Sequence, residues 1–246
     1  KKKISLNVPK NNFSGNITSH EFSILMNKIG FFHKKPLLGI AYSGGSDSLA
    51  LLLKLSEWSI SNDGKLIAFI VDHDLKRRSR EESEDAMKVA QNLSVETYIL
   101  KWQGMKPYAG IMKKARDKRY ELIENECKKK DIFHLFTAHH QDDQLETFYM
   151  RSKRKGFSLG LSSMEMISEK TDIRIIKPFL SVPKIRLVET CRFHNCKWIS
   201  DPLNKVTDFE RIKVRNFLKS LKKSKKSFYL KEIQLKKKVK EKFEKM

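Results

Sequence analysis

The stretch Ser43-Gly44-Gly45-Ser46-Asp47-Ser48 packs three hydroxyls, two glycines and one carboxylate into six residues, between the apolar runs 37–42 and 49–53. Those residue types suit a polyphosphate. Adjacent glycines let the backbone adopt φ > 0 and approach a ligand closely, and the N–H groups opening the next helix point outward with the positive end of its dipole. Asp47 would repel phosphate unless a cation lay between them, so the stretch predicts a magnesium-bridged phosphate site with Asp47 as the metal's ligand. It has no Lys and lacks the GxxxxGK[ST] spacing, so it is not a Walker A loop. The alternatives are a Ser/Gly linker or a helix capped by Ser46 or Asp47, which the flanking apolar elements disfavour.

A second constellation lies at 138–147, where His139 and His140 precede Asp142, Asp143 and Glu146. If Gln141 opens a helix, Asp143, Glu146 and Thr147 share one face. Such a group can bind a primary ammonium, hold magnesium, or contact the ribose and base of ATP; capping of the helix is the simpler role for its carboxylates. Two smaller groups complete the set. Asp72 and His73 follow the apolar run 66–71, at the end of a strand where ligands bind in open α/β sheets. Arg116 and Arg119 stand three apart beside Tyr120, on one face of a long helix.

Strands at 37–42, 66–71, 96–100, 132–137 and 175–177 alternate with helices at about 46–58, 79–92, 109–130 and 183–194. This pattern predicts a doubly wound α/β fold on a mostly parallel five-stranded sheet, its continuous apolar strands covered on both faces. Pro183 suits the N1 position of the last of these helices. A short amphipathic helix is expected at 21–26, and the turn-rich segment 156–161, after the basic run 151–155, is placed to lie over a site. The expected domains are an N-terminal extension, 1–35, a catalytic domain, 36–217, and a basic tail, 218–246, that begins a helical, Lys-rich C-terminal extension. That tail is densely charged, with 12 Lys and 3 Glu from residue 219 onward.

Composition narrows the partners. The chain of 246 residues carries 51 Lys and Arg against 29 Asp and Glu, a net charge of +22, which favours a polyanionic partner, either nucleic acid or an anionic membrane surface. No apolar stretch approaches the ~20 residues a membrane helix needs, so a soluble, cytoplasmic protein is expected. Three cysteines without a CxxC pair indicate neither a disulfide framework nor a zinc or iron–sulfur site.

The hexapeptide resembles the SGGxDS signature of the PP-loop ATP pyrophosphatases, whose fold is adenine nucleotide alpha hydrolase-like. VDHDLK at 71–76, AGIMKKARDKRY at 109–120, AHHQDDQLET at 138–147, KPFL at 177–180, WISDPLN at 198–204 and FERIKVR at 209–215 together are similar to the tRNA(Ile)-lysidine synthases. The departures are Ile212, where the family usually has Asn, and Lys76, where it has Arg. The resemblance implies ATP and Mg2+ as cofactors, and free L-lysine and tRNA(Ile) with a CAU anticodon as substrates, with a homodimer left open as the assembly. It implies that Ser43, Gly44, Gly45, Ser46, Asp47 and Ser48 cradle the pyrophosphate, while Asp72, His73 and His139 contact the nucleotide. Asp47, Arg116 and Arg211 would be catalytic, with Asp143 and Glu146 receiving lysine. Arg119, Arg151, Lys153, Arg154 and Arg215 would face tRNA. A PP-loop tRNA thiolase and a catalytically inactive RNA-binding module are the alternatives.

Overall fold

The computed structural model describes residues 15–106, 109–155, 164–199 and 209–243. Its sheet contains β1 (Leu37–Ala41), β2 (Lys65–Asp72), β3 (Glu96–Lys101), β4 (His134–Phe136), β5 (Ile167–Glu169) and β6 (Arg174–Ile176). Their order is β3-β2-β1-β4-β6-β5, all neighbours being parallel except the β5–β6 pair. The helices are α1 (Ser19–Asn27), α2 (Ser46–Ser61), α3 (Ser79–Asn92), α4 (Ile111–Lys129), α5 (Gln141–Lys155), α6 (Lys184–Phe193), α7 (Phe209–Ser220) and α8 (Lys223–Phe243).

The period of two in each strand sorts its side chains between two cores. Leu38 and Ile40 of β1 and Leu66, Ala68 and Ile70 of β2 join Leu49, Leu51 and Leu52 of α2, Ala86 and Ala90 of α3, and Leu187 of α6. Ile67 and Phe69 point the other way, onto Ile123 and Cys127 of α4. Both faces are therefore covered, which explains why these strands read as unbroken apolar runs. Helix α1 joins the first core through Phe22, Leu25 and Met26. A third cluster, Leu145 and Phe148 of α5 with Val214, Leu218 and Ile233, seats the α7–α8 hairpin on α5.

The sheet has six strands rather than five. Strand β5 is three residues, Ile-Ser-Glu, too short to display alternation, and it forms by pairing Ile167 with Ile176 and Ser168 with Ile175. The fourth strand starts at His134, not Ile132, which is buried against α4 without strand pairing. Pro183 is the N-cap of α6 rather than its first residue. Strand order reverses between β1, which leads to β2 and β3, and β4, which leads to β6. Carboxyl ends that diverge in this way leave a crevice.

Candidate functional site

Helix α2 leaves β1 through the Ser/Gly loop. Its N-cap is Gly45, and no side chain caps it, so the N–H groups of its first turn are not claimed by Ser46 or Asp47. Gly44 has φ +75°, and a Cβ there would lie 2.8 Å from Ile199 Cδ1 and 3.1 Å from Ala86 Cβ. Ile199 also donates its backbone N–H to the Gly44 carbonyl at 2.9 Å. Ser48 is buried and pins the loop, its Oγ accepting from Ser43 N (3.2 Å) and donating to Gly45 O (3.1 Å). Ser43 and Ser46 are more open to solvent.

Helix α5 opens differently. Asp143 accepts the His140 N–H at 3.0 Å, half of a capping box, and Gln141 donates its N–H to Val182 O at 3.0 Å. His140 is buried, with Nε2 3.5 Å from Asp47 Oδ2 and 3.4 Å from Asp143 Oδ2. Burial lowers its pKa, but the Asp47 hydrogen bond and the charges of Asp143 and Asp47 raise it overall. Asp47 also takes an ion pair from Lys184 Nζ at 2.8 Å. Burial alone would raise the Asp47 carboxyl; His140 and Lys184 hold it far below the usual carboxylate range.

His139 stands beside them, its Nδ1 3.0 Å from Thr137 Oγ1. Burial, aided by the Arg116 and Lys177 charges and opposed by Asp143, brings its pKa down to about 4, so the ring is neutral at pH 7. Lys177, at the end of β6, donates to Ser168 Oγ (2.8 Å) and Glu165 O (3.2 Å). Burial and the Arg116 charge lower its pKa to about 8. Glu146, one turn along α5 from Asp143 and buried, accepts both Nε (2.7 Å) and a terminal nitrogen (3.2 Å) of Arg215.

The structure brings Asp47 and the loop 43–48 beside Asp143 through His140, with His139 next to them and the Arg116 charge acting on His139. Glu146 pairs with Arg215, and Asp72, His73 and Arg119 form a separate group. Asp72 is buried and accepts from Asp74 N (2.9 Å) and Ser79 Oγ, tying the strand end to α3. His73 packs edge-on to Trp102 and accepts from Arg119 Nε (3.3 Å) and a terminal nitrogen (3.2 Å). A guanidinium only donates, so His73 Nε2 is the acceptor and the ring proton sits on Nδ1. Burial and the Arg119 charge lower the His73 pKa to about 4. Arg116 lies over the Tyr120 ring. Arg151 and Lys153 are exposed on the distal half of α5, whereas Arg215 is engaged with Glu146. The side chains of Arg154 and Arg211, and residues 156–163 and 200–208, lie outside the described residues.

Sequence reasoning gave no role to Lys184, Lys177 or Ile199, and took His140 only as one member of the 138–147 group. Lys184 had a signal. Helix α6 opens with Lys184 and Arg186, two cations against its dipole. Each is met by a carboxylate from elsewhere, Asp47 for Lys184 and Glu21 for Arg186. The thiols are quiet: burial pushes Cys127 and Cys191 up to about 12, so both stay protonated.

Asp47 is an ionised hard-oxygen donor of the type magnesium takes, and in this structure its Oδ2 is held by Lys184 and His140 and its Oδ1 accepts from Ser46 Oγ. The uncapped α2 start is suited to an anion, and the Asp143 edge to a cation. Residues 16–221 match the model of the PP-loop domain family. The chain is 36% identical over 196 residues to the tRNA(Ile)-lysidine synthase of Orientia tsutsugamushi (strain Boryong), covering 80% of this chain and 44% of that protein. It is 36% identical over 181 residues to the tRNA(Ile)-lysidine synthase of Rickettsia africae (strain ESF-5), covering 74% and 38%. The chain thus spans less than half the length of these relatives. Among solved structures it resembles the U34-tRNA thiolase NcsA from Methanococcus maripaludis with its [4Fe-4S] cluster. That match has a TM-score of 0.75 at 15% identity, covers 89% of this chain and 78% of that one, and establishes a shared fold.

Proposed function

The chain belongs to the PP-loop domain family, and on that footing we propose that it is the ATP-using catalytic part of a tRNA(Ile)-lysidine synthase. It would join free lysine, through the ε-amine, to C2 of the wobble cytidine of a CAU anticodon. The observation that carries this reading is the meeting of Asp47 and Asp143 on His140 at the point where strand order reverses. An anion-receptive helix end and a carboxylate-lined one then face the same crevice, as a reaction that uses both a polyphosphate and an amine-bearing substrate requires. The similarity to lysidine synthases supports the choice of substrates.

Cytosine O2 is a poor leaving group. Its attack on the α-phosphorus of ATP expels pyrophosphate and leaves an adenylated base; the unprotonated lysine ε-amine then attacks C2, the C2–O2 bond breaks so that AMP leaves carrying O2, and the new C–N nitrogen sheds a proton to solvent. In this scheme the first-turn N–H groups of α2, with Ser43 and Ser46, bind the leaving pyrophosphate, and Ser48 fixes the loop. Arg116 and Arg211 stabilise charge developing at the α-phosphate. Neutral His139 is a hydrogen-bonding group for the nucleotide, and Asp143 receives the ammonium of lysine. Glu146, held by Arg215, fixes the face of α5 on which Asp143 stands. Magnesium, held by Asp47, would neutralise phosphate charge.

Incorporation of radiolabelled lysine into an unmodified tRNA transcript bearing CAU, with ATP and magnesium, tests the proposal. Label should enter with wild type and not with Asp47→Ala. AMP formation without label would replace lysine transfer by another base-adenylating reaction, thiolation first. No AMP and no label would overturn the enzymatic reading.

A further inference from the structure

The α7–α8 hairpin concentrates charge and aromatic rings in one place. Residues 209–243 hold 12 Lys and 2 Arg against 3 Glu, a net charge of +11 that makes up half of the chain's +22. Across the hairpin and α5 runs a file of four rings. Phe217 stacks on Tyr149 (centroids 4.8 Å, 29°), Tyr149 meets Tyr229 edge-on (6.2 Å), and Tyr229 meets Phe228 (6.0 Å). Lys153 Nζ lies 5.3 Å from the Tyr149 centroid. The two ends of the file reach solvent, with Phe217 39% and Phe228 55% exposed. Packing of the hairpin uses Leu145, Phe148, Val214, Leu218 and Ile233, with Tyr149 and Tyr229 partly buried against them, and leaves the outer rings Phe217 and Phe228 in solvent. It does not explain bare rings among lysines.

We infer that this file is a docking surface for unpaired nucleotides of an RNA, with bases stacking on Phe217 and Phe228 while the surrounding lysines meet the phosphates. The charge complementarity selects a polyanion, and the rings select one whose bases are accessible, because stacking is available to any unpaired base and denied to a closed duplex. An anionic bilayer fits less well. Tyr229, Leu230 and Ile233 of α8 are already turned to the third core, and its exposed large apolar residues among those described, Phe228 and Leu235, stand two turns apart with Lys231 and Glu232 between them. Placement adds a reason. Tyr149 follows Asp143 by six residues on α5, about 9 Å of helix rise. The file therefore includes a ring less than two turns of α5 from Asp143.

This inference deepens the proposed function by assigning where its RNA substrate is gripped, and it rests on that substrate being RNA. Its test needs neither ATP nor lysine. Binding of the full chain to a labelled CAU anticodon stem-loop, and to a blunt duplex of the same stem, is measured by fluorescence anisotropy over a range of salt concentrations. The Phe217→Leu/Phe228→Leu variant keeps apolar volume at both positions, and thermal melting confirms that it folds. It should bind the stem-loop about tenfold more weakly and the duplex as wild type does. Lys231→Gln/Lys238→Gln should weaken both RNAs and lower the slope of log K against log salt for the stem-loop by about 1.4. Unchanged stem-loop affinity in the phenylalanine variant overturns the inference, as does equal loss for both RNAs. Loss of binding to phosphatidylserine vesicles with RNA binding intact also overturns it, in favour of a membrane. A chain that never transfers lysine but shows this aromatic dependence keeps the docking surface and loses the proposed reaction. One that transfers lysine with both variants binding normally does the reverse.

Discussion

The helices α2 and α5 begin at the same crevice, with His140 Nε2 3.5 Å from Asp47 Oδ2, and they treat their first turns in opposite ways. At α2 the N-cap is a glycine and no side chain takes the N–H groups, so the positive end of the helix is left for a ligand. At α5 the cap position is closed by Asp143 and Val182 O, which satisfies the backbone and leaves a carboxylate at the surface of the turn. The two helix starts thus present opposite groups, unclaimed N–H groups at α2 and a carboxylate at α5. The difference lies in the cap and the third helical residue, Gly45 and Ser48 in α2 against His140 and Asp143 in α5. His140, between Asp47 and Asp143, ties the two ends together.

The contrast breaks most completely at Gly44. Gly44→Ala must place a methyl 2.8 Å from Ile199 Cδ1 at φ +75°, a strain of about 1–3 kcal/mol. The loop will shift, and ATP-dependent pyrophosphate release should fall about 100-fold. Gly44→Ala/Ile199→Ala should recover part of that loss, and wild-type activity in the single variant would show that the loop geometry is not needed. At the other end, Arg215→Ala leaves the buried Glu146 without its bidentate partner. Urea unfolding should show about 2–3 kcal/mol of lost stability. A loss below 0.5 kcal/mol, on the order of an ordinary surface substitution, would mean the pair contributes little.

Asp143→Asn sharpens the comparison, because the amide oxygen can still accept the His140 N–H while the charge is gone. Stability should change by less than about 1 kcal/mol, and the apparent affinity for lysine should weaken about tenfold. Unchanged lysine affinity would remove Asp143 from the cation site. The smallest effect is in pH. The raised His140 contributes stability that is complete below the ordinary imidazole value, about 6.5, and is lost as pH rises through its higher folded value. The depressed Asp47 contributes above about 3.9 and loses its share as pH falls through its lower folded value. The bridge is therefore complete between about pH 4 and 6.5, with Lys184 the opposing cation on Asp47. The melting-temperature gap between wild type and His140→Asn should be widest near pH 5.5 and narrow towards pH 9. A gap that stays constant would make the contact one of packing.

Much of this was written in local sequence. β1, α2 and β2 follow from apolar runs, and α3 and the crevice from strands alternating with helices. β5 escaped because three residues carry no period. Lys184 and Ile199 escaped for a different reason. Their partners, Asp47 and Gly44, lie far up the chain, and no spacing rule joins them. Glu146 and Arg215 were both singled out, with separate substrates in mind, but their mutual contact needed the docking of α7 on α5.

The bond from the Ile199 N–H to Gly44 O, with the Lys184 contact to Asp47 spanning 137 residues and the Cys191 contact to Ser46 O spanning 145, gives the loop a calendar. During synthesis the hexapeptide leaves the ribosome early, yet the residues that fix its shape arrive only when nearly all of the domain has been made. Chains released part-way, or clipped before residue 184, lack the props that set Asp47 and Gly44. They would carry the phosphate signature without consuming nucleotide.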